Sequence, residues 1–148
     1  LPHATVEATA CVLNGRLYVM GGFKCDKLQV LEWSEENGFS WTVKAVLPAA
    51  RFGAASVVVD GKLWLIGGKV DFIPSSSVVI YDIDADSWGP GPALPNALLS
   101  PRATTLDGEV FVAASAGTWL YRNATWVGVE VPGGPNAEFP GCASILLG

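Results

Sequence analysis

Short apolar runs separated by polar turns recur along the whole chain. Each run holds about four to six residues, which is too short for an amphipathic helix and typical of a β-strand. Three runs end in a turn pair that is followed at once by a second apolar run: Asn14-Gly15, Asp60-Gly61 and Asp107-Gly108. Such pairs favour two-residue hairpin turns, because both central residues adopt positive φ. The pattern therefore predicts three β-hairpins.

The hairpins belong to an internal repeat. The turn glycines at 15, 61 and 108 are separated by 46 and then 47 residues. Two residues beyond each turn glycine, an aliphatic residue is followed by an aromatic one: Leu17-Tyr18, Leu63-Trp64 and Val110-Phe111. The second strand then closes in a glycine pair in two copies and in a small pair in the third: Gly21-Gly22, Gly67-Gly68 and Ala114-Ser115. The repeat predicts three structurally equivalent units.

Each copy continues with two more predicted strands, and the fourth strand of each contains a tryptophan: Trp41, Trp88 and Trp126. Four short strands in 46 to 47 residues correspond to one blade of a β-propeller, since blade repeats span about 40–50 residues. We expect these three tryptophans and Trp64 to be core residues. Trp119 is less constrained, because the other copies have no equivalent tryptophan.

This succession of strands, turns and glycine pairs resembles the kelch repeat. The second copy matches best, and its matching residues are Arg51, Gly53, Asp60-Gly61, Gly67-Gly68, Tyr81-Asp82 and Trp88. The first copy has Thr5 in the arginine position and Trp33 in the tyrosine position, and the third has Leu98 in the arginine position. The resemblance implies an all-β fold, a kelch-type β-propeller segment of antiparallel four-stranded blades.

The predicted repeats divide the chain as 1–46, 47–93 and 94–137, and 138–148 begins a fourth copy. Closed propellers have about four to eight blades, so three blades and one strand are too few to close a ring. We therefore expect a partial chain, or a homodimer in which a second copy completes the propeller.

Composition and charge narrow the possible partners. Only 16% of the 148 residues are charged, the net charge is −5, and no run of Lys or Arg occurs. Nucleic acid and anionic membranes are therefore not expected as partners. The longest nearly apolar window, residues 110–121, is shorter than the roughly 20 residues of a membrane-spanning helix. With no signal-like segment at the start, we expect a cytoplasmic location. The sequon at Asn123 would matter only in a secreted chain.

Residues that carry catalysis or bind metal are scarce. His3 is the only histidine, and the three cysteines show no CxxC spacing. The cysteines are best explained as small buried residues, with a Cys11–Cys25 disulfide as an alternative. Asp82, Asp84 and Asp86 have the spacing of half a calcium loop, but the kelch pattern makes this segment a polar turn. We expect no cofactor, no metal and no enzymatic activity.

The resemblance implies that loops between strands line a binding pocket. In kelch proteins, arginines at the position of Arg51 often face this pocket, where a guanidinium can bind a carboxylate bidentately. The alternative is a structural arginine that donates to loop carbonyls. Phe23 and Lys69 directly follow the glycine pairs, and Phe72 lies in a longer loop of the second blade. The candidate ligand-binding residues are Arg51, Phe23, Lys69, Phe72 and Phe139, the last of which takes the arginine position in the fourth copy.

These observations favour a protein-interaction module that binds a partner protein or peptide through its propeller loops. By resemblance, such a module can be a substrate-recognition adaptor of a ubiquitin ligase or a cytoskeletal contact. The alternative is a sugar-binding or enzymatic kelch-like propeller of the oxidase or mutarotase type, in which the same pocket carries the chemistry.

Overall fold

The computed structural model describes residues 1–130, which form fifteen β-strands. In chain order these are β1 (Thr9–Leu13), β2 (Arg16–Met20), β3 (Leu28–Ser34), β4 (Gly38–Val43), β5 (Arg51–Phe52), β6 (Ala55–Val59), β7 (Lys62–Ile66), β8 (Lys69–Val70), β9 (Ile73–Pro74), β10 (Val78–Asp82), β11 (Ser87–Pro90), β12 (Arg102–Leu106), β13 (Glu109–Ala114), β14 (Gly117–Arg122) and β15 (Thr125–Gly128). In this part of the chain no helix is long and apolar enough to cross a membrane.

Twelve of the strands form three antiparallel four-stranded sheets. Sheet 1 has the order β1-β2-β3-β4, sheet 2 the order β6-β7-β10-β11, and sheet 3 the order β12-β13-β14-β15. The three predicted hairpin turns connect the first two strands of each sheet. The all-β fold of four-stranded blades is therefore confirmed. The numerical repeat boundaries remain a prediction, and the fourth copy, with Phe139 and Cys142, lies outside the described residues.

The first strands of the three sheets lie side by side, with β6 packed between β1 and β12. Most of their side chains are small or β-branched, so the backbones can approach closely. The hydroxyls of Thr9 and Ser56 are 2.7 Å apart, and the Ser56 hydroxyl also donates to the Ala10 carbonyl at 3.3 Å. These polar contacts join sheets 1 and 2 at the inner end of the blades.

The core lies between neighbouring sheets. In β7, Leu63 and Leu65 belong to the cluster shared with sheet 1, whereas Trp64 and Ile66 belong to the cluster shared with sheet 3. Because successive side chains of a strand point to opposite faces, the central sheet buries both of its faces. This explains why all four residues 63–66 are buried and why the run shows no alternation of apolar and polar residues.

The fourth-strand tryptophans of sheets 2 and 3 join each of these sheets to the sheet before it. The indole Nε1 of Trp88 donates to the Ala45 carbonyl at 3.0 Å, and that of Trp126 donates to the Pro92 carbonyl at 2.9 Å. In sheet 2 the Asp86 carboxylate also accepts the Ala45 amide at 2.9 Å. Its counterpart in sheet 3 is an alanine, Ala124, opposite a proline that has no amide to donate. Sheet 3 thus lacks both the carboxylate acceptor and the amide donor of this hydrogen bond.

Strand pairing and burial each correct one sequence prediction. Trp41 pairs with Leu31, as Trp88 pairs with Tyr81, so Leu31 rather than Trp33 takes the tyrosine position. The error arose because β3 and β4 continue beyond the length of their counterparts. Trp119 is only 7% exposed and belongs to the core between sheets 2 and 3, so the prediction that it is less constrained is wrong.

The cysteine and aspartate segments have structural roles. Cys11 and Cys25 are free thiols, and burial raises the pKa of Cys11 to about 11.

The carboxylates of the aspartate segment, residues 82–86, bind separate partners. Asp82 accepts the amides of Asp84 and Ala85, and Asp86 accepts the Tyr81 hydroxyl at 2.6 Å. This geometry is that of a polar turn.

Candidate functional site

Three phenylalanines from separate segments meet at the end of the sheets where β2 connects to β3. The ring centroids of Phe23 and Phe52 are 5.5 Å apart, and each lies 5.7 Å from that of Phe72. All three pairs have the edge-to-face geometry that aromatic rings prefer. We call Phe23, Phe52 and Phe72 the aromatic cluster.

The first member of the cluster is positioned by the glycine pair of sheet 1. Gly22 has φ of 114°, and its amide donates to the Arg51 carbonyl at 2.7 Å. The next amide, that of Phe23, donates to the Val6 carbonyl at 2.8 Å. Since few residues other than glycine adopt this backbone conformation, the glycine pair allows the Phe23 loop to lie against the next blade.

The other two members belong to a small sheet that the sequence pattern did not predict. Its strand order is β5-β8-β9, and Phe52 in β5 pairs with Lys69 in β8. β8 and β9 form a hairpin whose turn residues, Asp71 and Phe72, have φ of 49° and 66°. Positive φ is unusual for a bulky residue, and strained backbone of this kind clusters at functional sites. The turn holds the Phe72 ring at the surface.

The cluster combines exposed aromatic surface with positive charge. Phe72 is 64% exposed and the adjacent Ile73 is 69% exposed, whereas Phe52 is buried beneath them at 9%. The Lys24 ammonium lies 5.5 Å from the Phe23 ring centroid, and the Lys69 ammonium lies 5.6 Å from that of Phe52. A ligand with an apolar side chain beside a carboxylate suits this surface.

Arg51 precedes Phe52 but points into the structure. It is 5% exposed, and its guanidinium donates to the carbonyls of Gly67 and Ser77 at 2.7 and 3.0 Å, and to the Ser77 hydroxyl at 2.6 Å. Desolvation lowers its pKa from the usual arginine value. In this geometry Arg51 binds loop carbonyls, which was the structural alternative to capture of a ligand carboxylate.

The other copies show the same relation between this position and the glycine pair. The Thr5 hydroxyl donates to the carbonyl of Gly21, the first glycine of its own pair, at 2.9 Å. Arg51 makes the equivalent bond to Gly67. In the third copy the position holds Leu98, which has no donor, and the glycine pair is also absent. The residue at this position therefore secures the glycine pair.

A polar cleft of about 550 Å³ lies between the N-terminal ends of β1, β6 and β12. Its charged lining residues are Glu7, Lys69 and Arg102. Glu7, Gly53 and Ser100, which also line the cleft, hold the same position in three repeats, and all have positive φ. Because Lys69 lines this cleft and also lies over Phe52, the cleft and the aromatic cluster adjoin.

The structure brings together three of the predicted ligand-binding residues, Phe23, Lys69 and Phe72, whose role in binding remains a prediction. Phe52 and Lys24 were missed. Phe52 directly follows the arginine position, where the other copies have aliphatic residues, Val6 and Leu99. An aromatic residue at that one position was the signal available in the sequence.

Comparison with known proteins agrees with this fold. The family model of the Kelch motif matches residues 50–95. Human Kelch-like protein 33 is 31% identical over 116 residues, covering 75% of this chain and 22% of that protein. An F-box/kelch-repeat protein of Arabidopsis thaliana is 32% identical over 100 residues, covering 62% of this chain and 26% of that protein.

The solved structure of YjhT superposes with a TM-score of 0.65 at 22% identity, over 75% of this chain and 34% of that chain. The likeness shows a shared fold. The strand order and the matches together define a propeller built from kelch repeats. The chain contains a Kelch motif at residues 50–95, and the relatives that it matches are kelch-repeat proteins. It spans about a quarter of the length of these two relatives.

Proposed function

We propose that the chain is a protein-interaction module that binds a partner protein or peptide through the aromatic cluster. The observation that carries the proposal is the exposure of Phe72 on a turn whose backbone is unfavourable for a phenylalanine. An ordinary turn residue such as Asn or Gly would be more stable there. An exposed aromatic side chain in a costly conformation is explained by a gain elsewhere, and contact with a partner provides it.

The expected partner segment carries an apolar side chain followed or preceded by a carboxylate. Its apolar group packs on Phe23 and Phe72, which together with Phe52 supply the aromatic anchor typical of interaction hot spots. Its carboxylate binds Lys24 or Lys69, which flank the rings. Lys69 also lines the cleft, so the segment can continue from the cluster toward the inner ends of the strands.

The finer proposal is a substrate-recognition adaptor within a larger protein. The name of the Arabidopsis relative joins kelch repeats to an F-box, and this chain corresponds to a fraction of that relative's length. In such an arrangement the kelch repeats recognise the partner and another domain acts on it.

We also propose that an isolated copy pairs with a second copy. Sheets 2 and 3 each pack their tryptophan-bearing face on the preceding sheet. Sheet 1 has the same kind of face, with Trp41 in the corresponding position.

The substitution Phe72→Asn tests the proposed site. Asn tolerates positive φ, so we expect the variant to keep or increase its thermal stability while losing the exposed ring. Peptides selected from a random display library on the unaltered chain should bind this variant at least about tenfold more weakly, the loss expected of one aromatic anchor. Affinity is measured by isothermal titration.

The matched control is Leu106→Asn, which removes an exposed aliphatic side chain at the opposite end of the sheets. This control should bind the selected peptides with unchanged affinity. Lys69→Gln should weaken the binding of those peptides that contain Asp or Glu, and leave the binding of the other selected peptides unchanged. Equal binding by the unaltered chain, by Phe72→Asn and by Lys69→Gln would refute the proposed site.

A further inference from the structure

The β3–β4 hairpin of sheet 1 is longer than its counterparts. The pair Glu32–Ser40 corresponds to Asp82–Ser87, the last pair before the turn in sheet 2. In sheet 1 pairing continues through Trp33–Phe39 and Ser34–Gly38. At about 3.3 Å per residue, the hairpin extends about 7 Å further than that of sheet 2.

The extension carries an exposed aromatic pair. The Trp33 and Phe39 rings are 5.0 Å apart and inclined by 62°. Trp33 is 62% exposed and Phe39 is 71% exposed. Trp33 is on the same face as Leu31, because side chains of a strand alternate. However, Trp33 lies two residues beyond Leu31, which pairs with Trp41. Trp41 is the counterpart of Trp88, which contacts the preceding sheet, so Trp33 lies beyond the level of that contact.

The charge around the pair is negative. Glu35 and Glu36, both exposed, lie with Asn37 in the turn between the two strands. Neither takes part in a salt bridge within residues 1–130, whereas Glu32 is bound to Arg16 at 3.1 Å. The cation–π contacts found in the same part of the chain involve Phe23 and Phe52, which lie at the opposite end of the sheets. The rings of Trp33 and Phe39 thus have no intramolecular cation there.

We propose that Trp33 and Phe39, together with Glu35 and Glu36, bind a lysine or arginine side chain in a basic segment of a protein partner. The face of tryptophan is the best aromatic acceptor for a cation. Nearby carboxylates add attraction at long range and a direct ion pair on contact.

Charge complementarity favours this occupant over a second copy. The chain has a net charge of −5 and no run of Lys or Arg, so a second copy would bring further negative charge to an acidic tip. The same argument disfavours an anionic membrane. The site is independent of the aromatic cluster, because the β3–β4 and β2–β3 connections lie at opposite ends of sheet 1.

The experiment titrates the chain with a synthetic seven-residue peptide in which glycine and arginine alternate. A peptide with glutamate in place of arginine serves as the ligand control. Binding is followed by the NMR signal of the Trp33 indole N–H, which is assigned by its loss in Trp33→Leu. We expect the arginine peptide to shift this signal in a saturable way that weakens with salt, and the glutamate peptide to leave it unchanged.

Two sets of variants decide the outcome. Trp33→Leu should weaken binding of the arginine peptide at least about fivefold, and so should the double change Glu35→Gln with Glu36→Gln. Fivefold corresponds to roughly 1 kcal/mol. Binding by Trp33→Leu is followed on a backbone amide of the turn. Phe72→Asn, in the aromatic cluster at the opposite end of the sheets, should bind it normally. Unchanged affinity in both tip variants, or equal binding of both peptides, would overturn the proposal. A dimer that dissociates on Trp33→Leu would assign the surface to a second copy and overturn it as well.

Discussion

At the scale of single residues, the repeats provide internal comparisons for Arg51. Thr5 and Arg51 donate to the first carbonyl of their glycine pairs, and Leu98 occurs where no pair exists. The side-chain donor therefore depends on the backbone geometry of the same repeat. Carbonyl groups buried beside a glycine pair need such a donor, since an unpaired buried acceptor costs about 1–3 kcal/mol.

We expect Arg51→Ala to destabilise the fold by about 2–4 kcal/mol, because it leaves the Gly67 and Ser77 carbonyls without this donor. Urea denaturation followed by tryptophan fluorescence measures the change. The control is Arg102→Ala, an exposed arginine at the cleft whose removal should cost little stability. If Arg51→Ala instead keeps full stability and loses affinity for acidic peptides, carboxylate capture is the correct role.

Asp86 provides a prediction for pH. The Tyr81 hydroxyl, and next the Ala45 amide, hold the pKa of Asp86 below its usual value of 3.8. The charged form is therefore favoured in the folded state, and its contribution is fully present above that value. This contribution is lost as the pH falls through the lower folded-state pKa. Because Asp86 is exposed, we expect an effect of about 0.5–1 kcal/mol.

Asp86→Asn should accordingly be less stable than the unaltered chain at pH 6, and the difference should shrink below pH 3.8. Urea midpoints between pH 2 and 6 measure it. Asp84→Asn, which changes an exposed carboxylate in the same turn, serves as the control. A difference that does not vary with pH would show that the charge of Asp86 contributes nothing.

At the scale of strands and hairpins, turn chemistry was the most reliable guide. Asn14-Gly15, Asp60-Gly61 and Asp107-Gly108 predicted hairpins that the structure contains. The β8–β9 hairpin was not predicted, because phenylalanine at position 72 is not a residue that signals a turn. Without that hairpin, the sequence placed Phe72 and Lys69 in loops and did not indicate that Phe52 lies between them.

Strand register was the second element that could not be predicted. Counting from the tryptophan of the fourth strand assigns Trp33 to the tyrosine position, since 8 residues separate it from Trp41 and 7 separate Tyr81 from Trp88. The longer hairpin moves the true equivalent to Leu31. Register is determined by cross-strand packing, and a hairpin extension of two pairs leaves the alternation of faces unchanged. The spacing of residues in the sequence therefore could not predict the exposed tip of sheet 1.

At the scale of the whole molecule, the question is what covers the tryptophan-bearing face of sheet 1. In sheets 2 and 3 this face is closed by the preceding sheet, with indole-to-carbonyl bonds of 3.0 and 2.9 Å. Trp41 and Leu31 form the equivalent pair in sheet 1, and Trp41 is half-buried. Because this face is closed in the same way in two sheets, we expect its complement in sheet 1 to be another kelch blade.

We expect multi-angle light scattering of the isolated chain at micromolar concentration to give twice the chain mass of 15.5 kDa. Trp41→Phe keeps an aromatic ring but removes the indole N–H. Because a symmetric dimer contains two such indoles, the change should weaken the dimer by about thirty- to hundredfold, the value of two hydrogen bonds. Trp33→Leu should leave the dimer intact, because Trp33 lies beyond the packing level. A monomeric mass with an unchanged β-sheet circular dichroism spectrum would contradict dimerisation, whereas a dimer that is insensitive to Trp41→Phe would place the interface elsewhere.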